Sequence, residues 1–307
     1  MSASSLRVSA KRAAPRVMAM IQRGMATEKQ IYNQMISTKN IQKITSSMKM
    51  VAAAKLKGDE TRLKLAKPFN TWTTALREEP KLCEDATFEE LPQKCLIVPF
   101  TSETGLCGGV NSFISKSTKR CVKALIDDGK DCNIVVVGEK GRSQMRRPLG
   151  EKILTSASGV QYPGSFALAS SLSTEVIKEF KEGDFDALVF IYNHYLNPAT
   201  YQQMYQVVSM PKNSSEGNFL VGYECDGEWD ETVDSMYEYM LASQMFYCYM
   251  DAGASEQSSR MAAMENATKN AGEMIDSLTL RYNRARQSRI TTELIEIISG
   301  ASALEGK

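Results

Sequence analysis

The residues best suited to chemistry form one short run, Gly105-Leu106-Cys107-Gly108-Gly109, between a strand-like and a helix-like segment. A glycine-rich turn at a helix start offers backbone N–H groups to an anion and is one way to hold phosphate. This run matches neither G-x-x-x-x-G-K-[ST] nor G-x-G-x-x-G, and it lacks the lysine and the magnesium-binding hydroxyl of a P-loop. Close packing of a strand-to-helix turn is the simpler role. Glu103 and Cys107 have the types of a base and a nucleophile, but no third group orients them. His194, the single histidine, has no triad readable around it, and Gly138-Glu139-Lys140-Gly141 reads as a common turn after a strand. No catalytic, cofactor-binding or metal-binding set emerges.

Composition narrows the field further. The net charge of the 307 residues is +1, which gives no bulk argument for nucleic acid or membrane. The seven cysteines are odd in number and scattered, without a C-x-x-C pair, so a reducing compartment with buried thiols is expected. Residues 1 to 26 carry Arg7, Lys11, Arg12, Arg16 and Arg23 and no acid, the composition of an organellar transit peptide.

The elements that must position everything else are the two ends. From about Glu231 to Leu304 there is no proline, and helix formers dominate. Met264, Ala267, Ala271, Met274, Leu278, Tyr282 and Ala285 step by threes and fours, the pattern of a coiled-coil seam. So long a helix needs a partner, and Ile41, Ile44, Met48 and Val51, leading into Ala52 to Ala54, offer one. Helix one is expected to start near Thr27, to weaken at Gly58 and to end or kink at Pro68.

Between the ends, Cys95 to Val98, Asn133 to Val137 and Ala187 to Ile191 read as buried strands. Helical segments from Gly108 to about Asp128 and from Phe166 to Phe180 alternate with them, which predicts a parallel sheet. Tyr201 to Met210 reads as an antiparallel addition. The expected division is a transit peptide over 1–26, an N-terminal helix over 27–67, a central α/β body over 68–228 and a C-terminal helix over 229–307. The expected fold is α/β: a long antiparallel coiled coil plus a central αβα, Rossmann-like domain.

Two charge runs stand out on the rod. Lys29, Lys39, Lys43, Lys49, Lys55 and Lys57 follow one another with no acid between them, and Arg281, Arg284, Arg286 and Arg289 do the same. Antiparallel pairing is expected to bring them together as a basic collar. One-signed charge repels itself unless an acidic partner lies close. Beyond the arginines, Ile290, Leu294, Ile295, Ile297, Ile298 and Leu304 form an apolar tip that other subunits would sheathe.

Asn40-Ile41-Gln42-Lys43-Ile44-Thr45 and Ser47-Met48-Lys49-Met50-Val51-Ala52-Ala53-Ala54-Lys55 resemble the N-terminal signature of the gamma subunit of F-type ATP synthase. Ser255-Glu256-Gln257, Arg260-Met261, Tyr282-Asn283-Arg284-Ala285-Arg286-Gln287 and Ile290-Thr291 resemble its C-terminal signature, and the glycine-rich run resembles its central domain. One departure is local: Glu103 and Thr104 stand where the family usually has an aspartate and an arginine. The cysteine-pair insert of plastid forms is not visible, which favours the mitochondrial form.

The resemblance implies a non-catalytic rotor shaft without a cofactor, present in one copy. Its implied partners are three catalytic and three non-catalytic head subunits, the small central-stalk subunits and the membrane c-ring, with no nucleic acid. The implied location is the matrix side of the mitochondrial inner membrane. It also implies rotor–stator contacts at Lys43, Met48, Lys49, Arg284, Arg286, Gln287 and Thr291, with Met48 and Lys49 beside an acidic loop. Two other classes stay open: a nucleotide-binding enzyme of the central domain and a self-associating coiled-coil scaffold.

Overall fold

The computed structural model describes residues 28–71, 73, 79–84, 86, 88–160, 164–209 and 228–305. The basic start, the Thr27 cap and the linker around Gly217 lie outside them. The chain forms two compact units, one joining the part up to Ser47 to the part from Glu265 onward, the other Met48–Met264.

Helix α1 (Glu28–Thr71) carries Pro68 within it. The second unit then contains a six-stranded sheet: β1 (Lys81–Leu82), β2 (Lys94–Pro99), β3 (Asp131–Val137), β4 (Ile153–Ala157), β5 (Ala187–Asn197) and β6 (Thr200–Ser209). Its order is β1-β6-β5-β2-β3-β4. Strands β5, β2, β3 and β4 run parallel, and β6 adds to β5 antiparallel. Residues of β2 and the first part of β5 are almost all buried, because helices cover both faces, and this is why they read as unbroken apolar runs.

Helix α2 (Val110–Asp127) buries Val110, Ile114, Cys121, Val122 and Leu125 at helical spacing. It shares one core with Met145 of helix α3 (Glu139–Leu149). The Gly138–Gly141 run is therefore not a simple turn but the start of α3. Gly138 has φ +100°, and the amide of Gly141 donates to Thr101 Oγ1 at 3.0 Å. Helix α4 (Phe166–Glu182) is capped by Ser165, which accepts the Leu168 N–H. It packs on the other face, together with Ala66 of α1 and Val233, Tyr237, Met240, Leu241, Met245 and Tyr249 of helix α5 (Trp229–Glu305). Helix α5 has 77 residues, about 115 Å at the usual rise.

The seam of α1 is not the apolar stripe. Ile31, Thr38, Thr45, Ala52, Asp59 and Ala66 are its buried positions, spaced by sevens, with Met35, Gln42, Lys49, Leu56 and Leu63 between them at least half-buried. Ile41, Ile44 and Val51 are 54–59% exposed. On α5, Met264, Ala271 and Leu278 are buried, whereas Met274 is 56% exposed and Ile275 takes the inward place. The physical reason is close approach. Threonine, alanine and serine-sized residues allow two backbones to come near, and hydroxyls can bond across the seam, so the heptad need not be apolar.

Candidate interaction surfaces

In the first unit the two helices run antiparallel in a register fixed by named pairs. Thr268 bonds Thr45 at 2.8 Å, Thr38 donates to Met274 Sδ at 3.9 Å and Thr279 to Met35 Sδ at 3.6 Å. Tyr32 and Tyr282 meet with ring centroids 5.9 Å apart, and Arg289 lies 2.9 Å from the carboxylate of Glu28. This register corrects the collar. Arg284 sits level with residue 30, and Lys43 level with residue 271, so the two are roughly 20 Å apart along the axis. The arginines share their level with Lys29 and Glu28, not with Lys39 and Lys43. Ala267 and Ala271 likewise face residues near Gln42, not Ala52 to Ala54.

Of the expected contact residues, Lys43, Arg284, Arg286, Gln287 and Thr291 are exposed, and Met48 and Lys49 are half-buried. The Thr291 hydroxyl donates to the Gln287 carbonyl at 2.9 Å within its own helix. The tip residues Ile290, Leu294, Ile295, Ile297, Ile298 and Leu304 are 45–79% exposed.

In the second unit the glycine-rich run follows β2. The strand order reverses at β2, since β3 lies on one side and β5 on the other. In a doubly wound sheet a ligand binds at the carboxyl end of the strands beside such a switch. Here that place is filled by the chain's own helix α5. Ser259 donates to the Cys107 carbonyl at 2.7 Å, and Arg260 donates to Thr104 Oγ1 at 2.8 Å. Arg260 also bonds Glu256, which is 3% exposed. Burial pushes the Glu256 carboxyl up, and Arg260 pulls it back. A buried carboxylate and a row of donors aimed at backbone carbonyls are the reverse of a phosphate cradle.

The Cys107 thiol is buried, accepts from Asn111 Nδ2 at 3.2 Å and is pushed up by burial, so it is no activated nucleophile. Glu103 accepts the Val160 N–H at 3.2 Å. Among the described residues no group of three His, Cys, Asp or Glu could hold a metal ion.

Sequence reading left a buried polar face of α5 without a role. Ser243, Gln244, Asp251, Ser255, Glu256, Gln257, Ser258 and Ser259 are all under 9% exposed. Asp251 accepts from the Tyr195 N–H at 2.7 Å and pairs with His194 Nδ1 at 2.5 Å. Ser255 donates to the Asn193 carbonyl, Ser258 to that of Pro198, and the Tyr195 hydroxyl to Glu60 of α1. Serine and glutamine at helical spacing amid Met and Tyr were the available signal.

A family model described as ATP synthase matches residues 27–304. The mitochondrial ATP synthase gamma subunit of Drosophila melanogaster is 40% identical over 292 residues, covering 94% of each chain. The chain belongs to the ATP synthase gamma-subunit family.

A gamma chain of Paramagnetospirillum magneticum is 36% identical over 297 residues, 91% of this chain and all of that one. Among solved structures, the central stalk and ring of the Tetrahymena thermophila mitochondrial ATP synthase matches with TM-score 0.62 and 30% identity, over 73% of this chain and 99% of that one. A Euglena gracilis mitochondrial ATP synthase shares the fold, with TM-score 0.74 at 18% identity over 90% of this chain and 94% of that one. Within the run Ser255-Glu256-Gln257 with Arg260, Glu256 and Arg260 bond Thr104 in the loop after β2, whereas Ser255 bonds Asn193 of β5. The guanidinium beside Thr104 comes from Arg260.

Proposed function

We propose that this gamma-family chain is the central rotor shaft of a mitochondrial ATP synthase. It couples rotation of the membrane ring to ATP synthesis and hydrolysis in the head, and it has no catalytic site of its own. The observation that carries this reading is α5, one unbroken helix of 77 residues. Its first part is fixed by buried polar bonds to a sheet. Its last part pairs with α1 and ends in an exposed apolar tip. A shaft can shift nucleotide affinity only through contacts that differ between catalytic states. Exposed Lys43, Arg284, Arg286, Gln287 and Thr291, with half-buried Met48 and Lys49, are the proposed rotor–stator contacts.

The second unit is the proposed foot, joined to small stalk subunits and the ring, in one copy per complex. The proposed site is the matrix face of the inner membrane. No described helix is long and apolar enough to cross a membrane. The family match begins at residue 27, which supports removal of the basic segment 1–26 as a presequence. The proposed division keeps α1 to residue 67 and α5 from residue 229 as the rod helices around the central body.

The test is depletion of this chain from mitochondria, with uncoupler-sensitive ATP synthesis and subunit ratios measured together. Loss of coupled synthesis, with one copy of the chain per six head subunits, is expected. Retained coupling, or a homo-oligomer of the chain alone, rejects the reading. Micromolar nucleotide binding by the purified chain, about −8 kcal/mol, would favour the enzyme alternative.

A further inference from the structure

The end of the β5–β6 hairpin is tied to both terminal helices by side-chain bonds. Ser255 of α5 donates to the Asn193 carbonyl at 3.1 Å, and Ser258 donates to the Pro198 carbonyl at 2.8 Å. Asp251 of α5 accepts the Tyr195 N–H at 2.7 Å and meets His194 Nδ1 at 2.5 Å. The Tyr195 hydroxyl donates to Glu60 of α1. Asn197 Oδ1 closes the turn itself, accepting the Ala199 and Thr200 N–H groups at 2.9 and 2.8 Å. The hairpin end is thus a strap, fastened to α5 between residues 251 and 258 and to α1 at residue 60.

The ladder within the strap is weak. Its register shifts between Tyr195 and Asn197, and such a shift leaves a residue unpaired and disrupts the ladder locally. Leu196, at the shift, is 48% exposed. The hold therefore depends on the side-chain bonds.

One of those bonds carries charge. Asp251 is fully buried. Asparagine there could accept the same N–H with no charge to bury, whereas a buried aspartate needs a cation beside it. That cation is His194, the one histidine of the chain. Lys67 of α1 acts on both members of the pair through space. Glu60 is engaged by the Tyr195 hydroxyl, which burial and that carboxylate keep protonated. From β6 the ladder partners are uncharged, Gln202 opposite His194 and Tyr201 opposite Tyr195. The imidazole is 31% exposed, so it exchanges protons with solvent, and it is the side chain that changes charge near neutral pH. Its bond to Asp251 holds the charged form to higher pH, while burial and Lys67 oppose it.

We propose that the hairpin end is a proton-controlled strap, closed over α5 and α1 while His194 is charged and loosened when it is neutral. A neutral imidazole can still donate from Nδ1, but Asp251 then keeps its charge in a buried place with neutral donors only. Such a carboxylate gains by reaching water, and parting from the hairpin lets it do so. The strap is complete below pH 6.5 and is lost as pH rises through the higher folded value of His194. Because one hairpin end holds both helices, its opening releases both at one place. The inference goes beyond the shaft reading and stands without it, since every group in the strap belongs to this chain.

Hydrogen–deuterium exchange of the full-length chain, corrected for the intrinsic rate at each pH, tests this. As pH rises from about 6 to about 9, protection across residues 193–201 should fall about fivefold or more. At each pH these amides should exchange about tenfold faster than those of β2, because the strap opens while the sheet stays closed. Protection that does not fall overturns the proposal. So does exchange at the rate of β2, which would mean that the hairpin opens only with the whole fold. Both are read on the wild-type chain and need no variant. His194→Asn should abolish the fall, because its amide donates to Asp251 and does not titrate. Asp251→Asn should abolish it too, because it accepts the Tyr195 N–H without a charge. A fall that persists in either variant places the proton elsewhere and overturns the strap.

Discussion

Thr268 and Thr45 share a hydroxyl hydrogen bond of 2.8 Å between the two terminal helices, at a position where a coiled coil ordinarily places two apolar side chains. Thr45 also bonds the Gln42 carbonyl at 3.1 Å, so the pair belongs to a short chain of hydrogen bonds. A seam built this way is slim and fixed in register. An apolar seam tolerates sliding better, because its contacts are non-directional.

A double-mutant cycle reads the bond directly. Thr45→Val or Thr268→Val alone should destabilise the full-length chain by about 0.5–1.5 kcal/mol, since each leaves a polar partner behind. The double variant should cost less than the sum, because both partners go together. Urea unfolding measures all three. Strict additivity would show that the hydroxyl contact contributes nothing.

His194 and Asp251 give the chain a pH response. Asp251 raises the His194 pKa above its usual 6.5, chiefly through their hydrogen bond, while burial and Lys67 oppose the shift. Burial also pushes the Asp251 carboxyl up, against the pull of His194 and the Tyr195 N–H. Both partners thus bind protons more tightly folded than unfolded. For the histidine the stabilisation is complete below pH 6.5 and is lost as pH rises through its higher folded value. Stability of the full-length chain should therefore decline with rising pH above about 6.5, and His194→Asn should flatten that slope. An identical slope in the variant would remove His194 from the account.

Gly141 opens α3 in contact with Thr101. A Cβ there would lie 2.3 Å from Thr101 Oγ1, which accepts the Gly141 N–H and donates to the Val137 carbonyl at 2.7 Å. Gly141→Ala should destabilise by about 1–3 kcal/mol through overpacking. Thermal unfolding of Gly141→Ala and Gly150→Ala separates this from a general loss of glycine, since nothing lies within 4 Å of a Cβ at Gly150.

The sheet strands were legible because burial on both faces leaves unbroken apolar runs such as Cys95 to Val98. The family was legible because its signatures are specific at both ends. The seam of α1 was not, since Thr38, Thr45 and Asp59 occupy its core while Ile41, Ile44 and Val51 face outward. An apolar periodicity reveals which face wants to leave water, not whether it meets the same chain or another. Helix α3 was hidden by Gly141 and Pro148 within it, and β4 by its half-exposed place at the sheet edge. The collar failed for a geometric reason. Two runs of one sign say nothing about register, and the pairs from Glu28–Arg289 to Thr45–Thr268 set it.

Arg286 and Lys43 stand at different heights on the rod, so their substitutions separate two proposed places of contact. Both are exposed, and neither has an ion-pair partner among the described residues, whereas Arg289 is engaged by Glu28 and Glu293. A single exposed lysine contact contributes about 0–1 kcal/mol. A guanidinium offers a planar pair of donors and holds a carboxylate or carbonyl in fixed geometry. Given the proposed contact with the head, desolvated on assembly, Arg286→Ala should cost about 2 kcal/mol of coupling. The rod should survive, because Ala285 is the half-buried neighbour and Arg286 points off the seam. ATP synthesis, ATP hydrolysis and assembly would be measured side by side in Arg286→Ala and Lys43→Ala. The expected result is normal assembly in both, with the larger loss of coupled rate in Arg286→Ala. The reverse order would move the decisive contact down the rod to the level of Lys43 and residue 271, where Gln42 and Gly272 already approach closely.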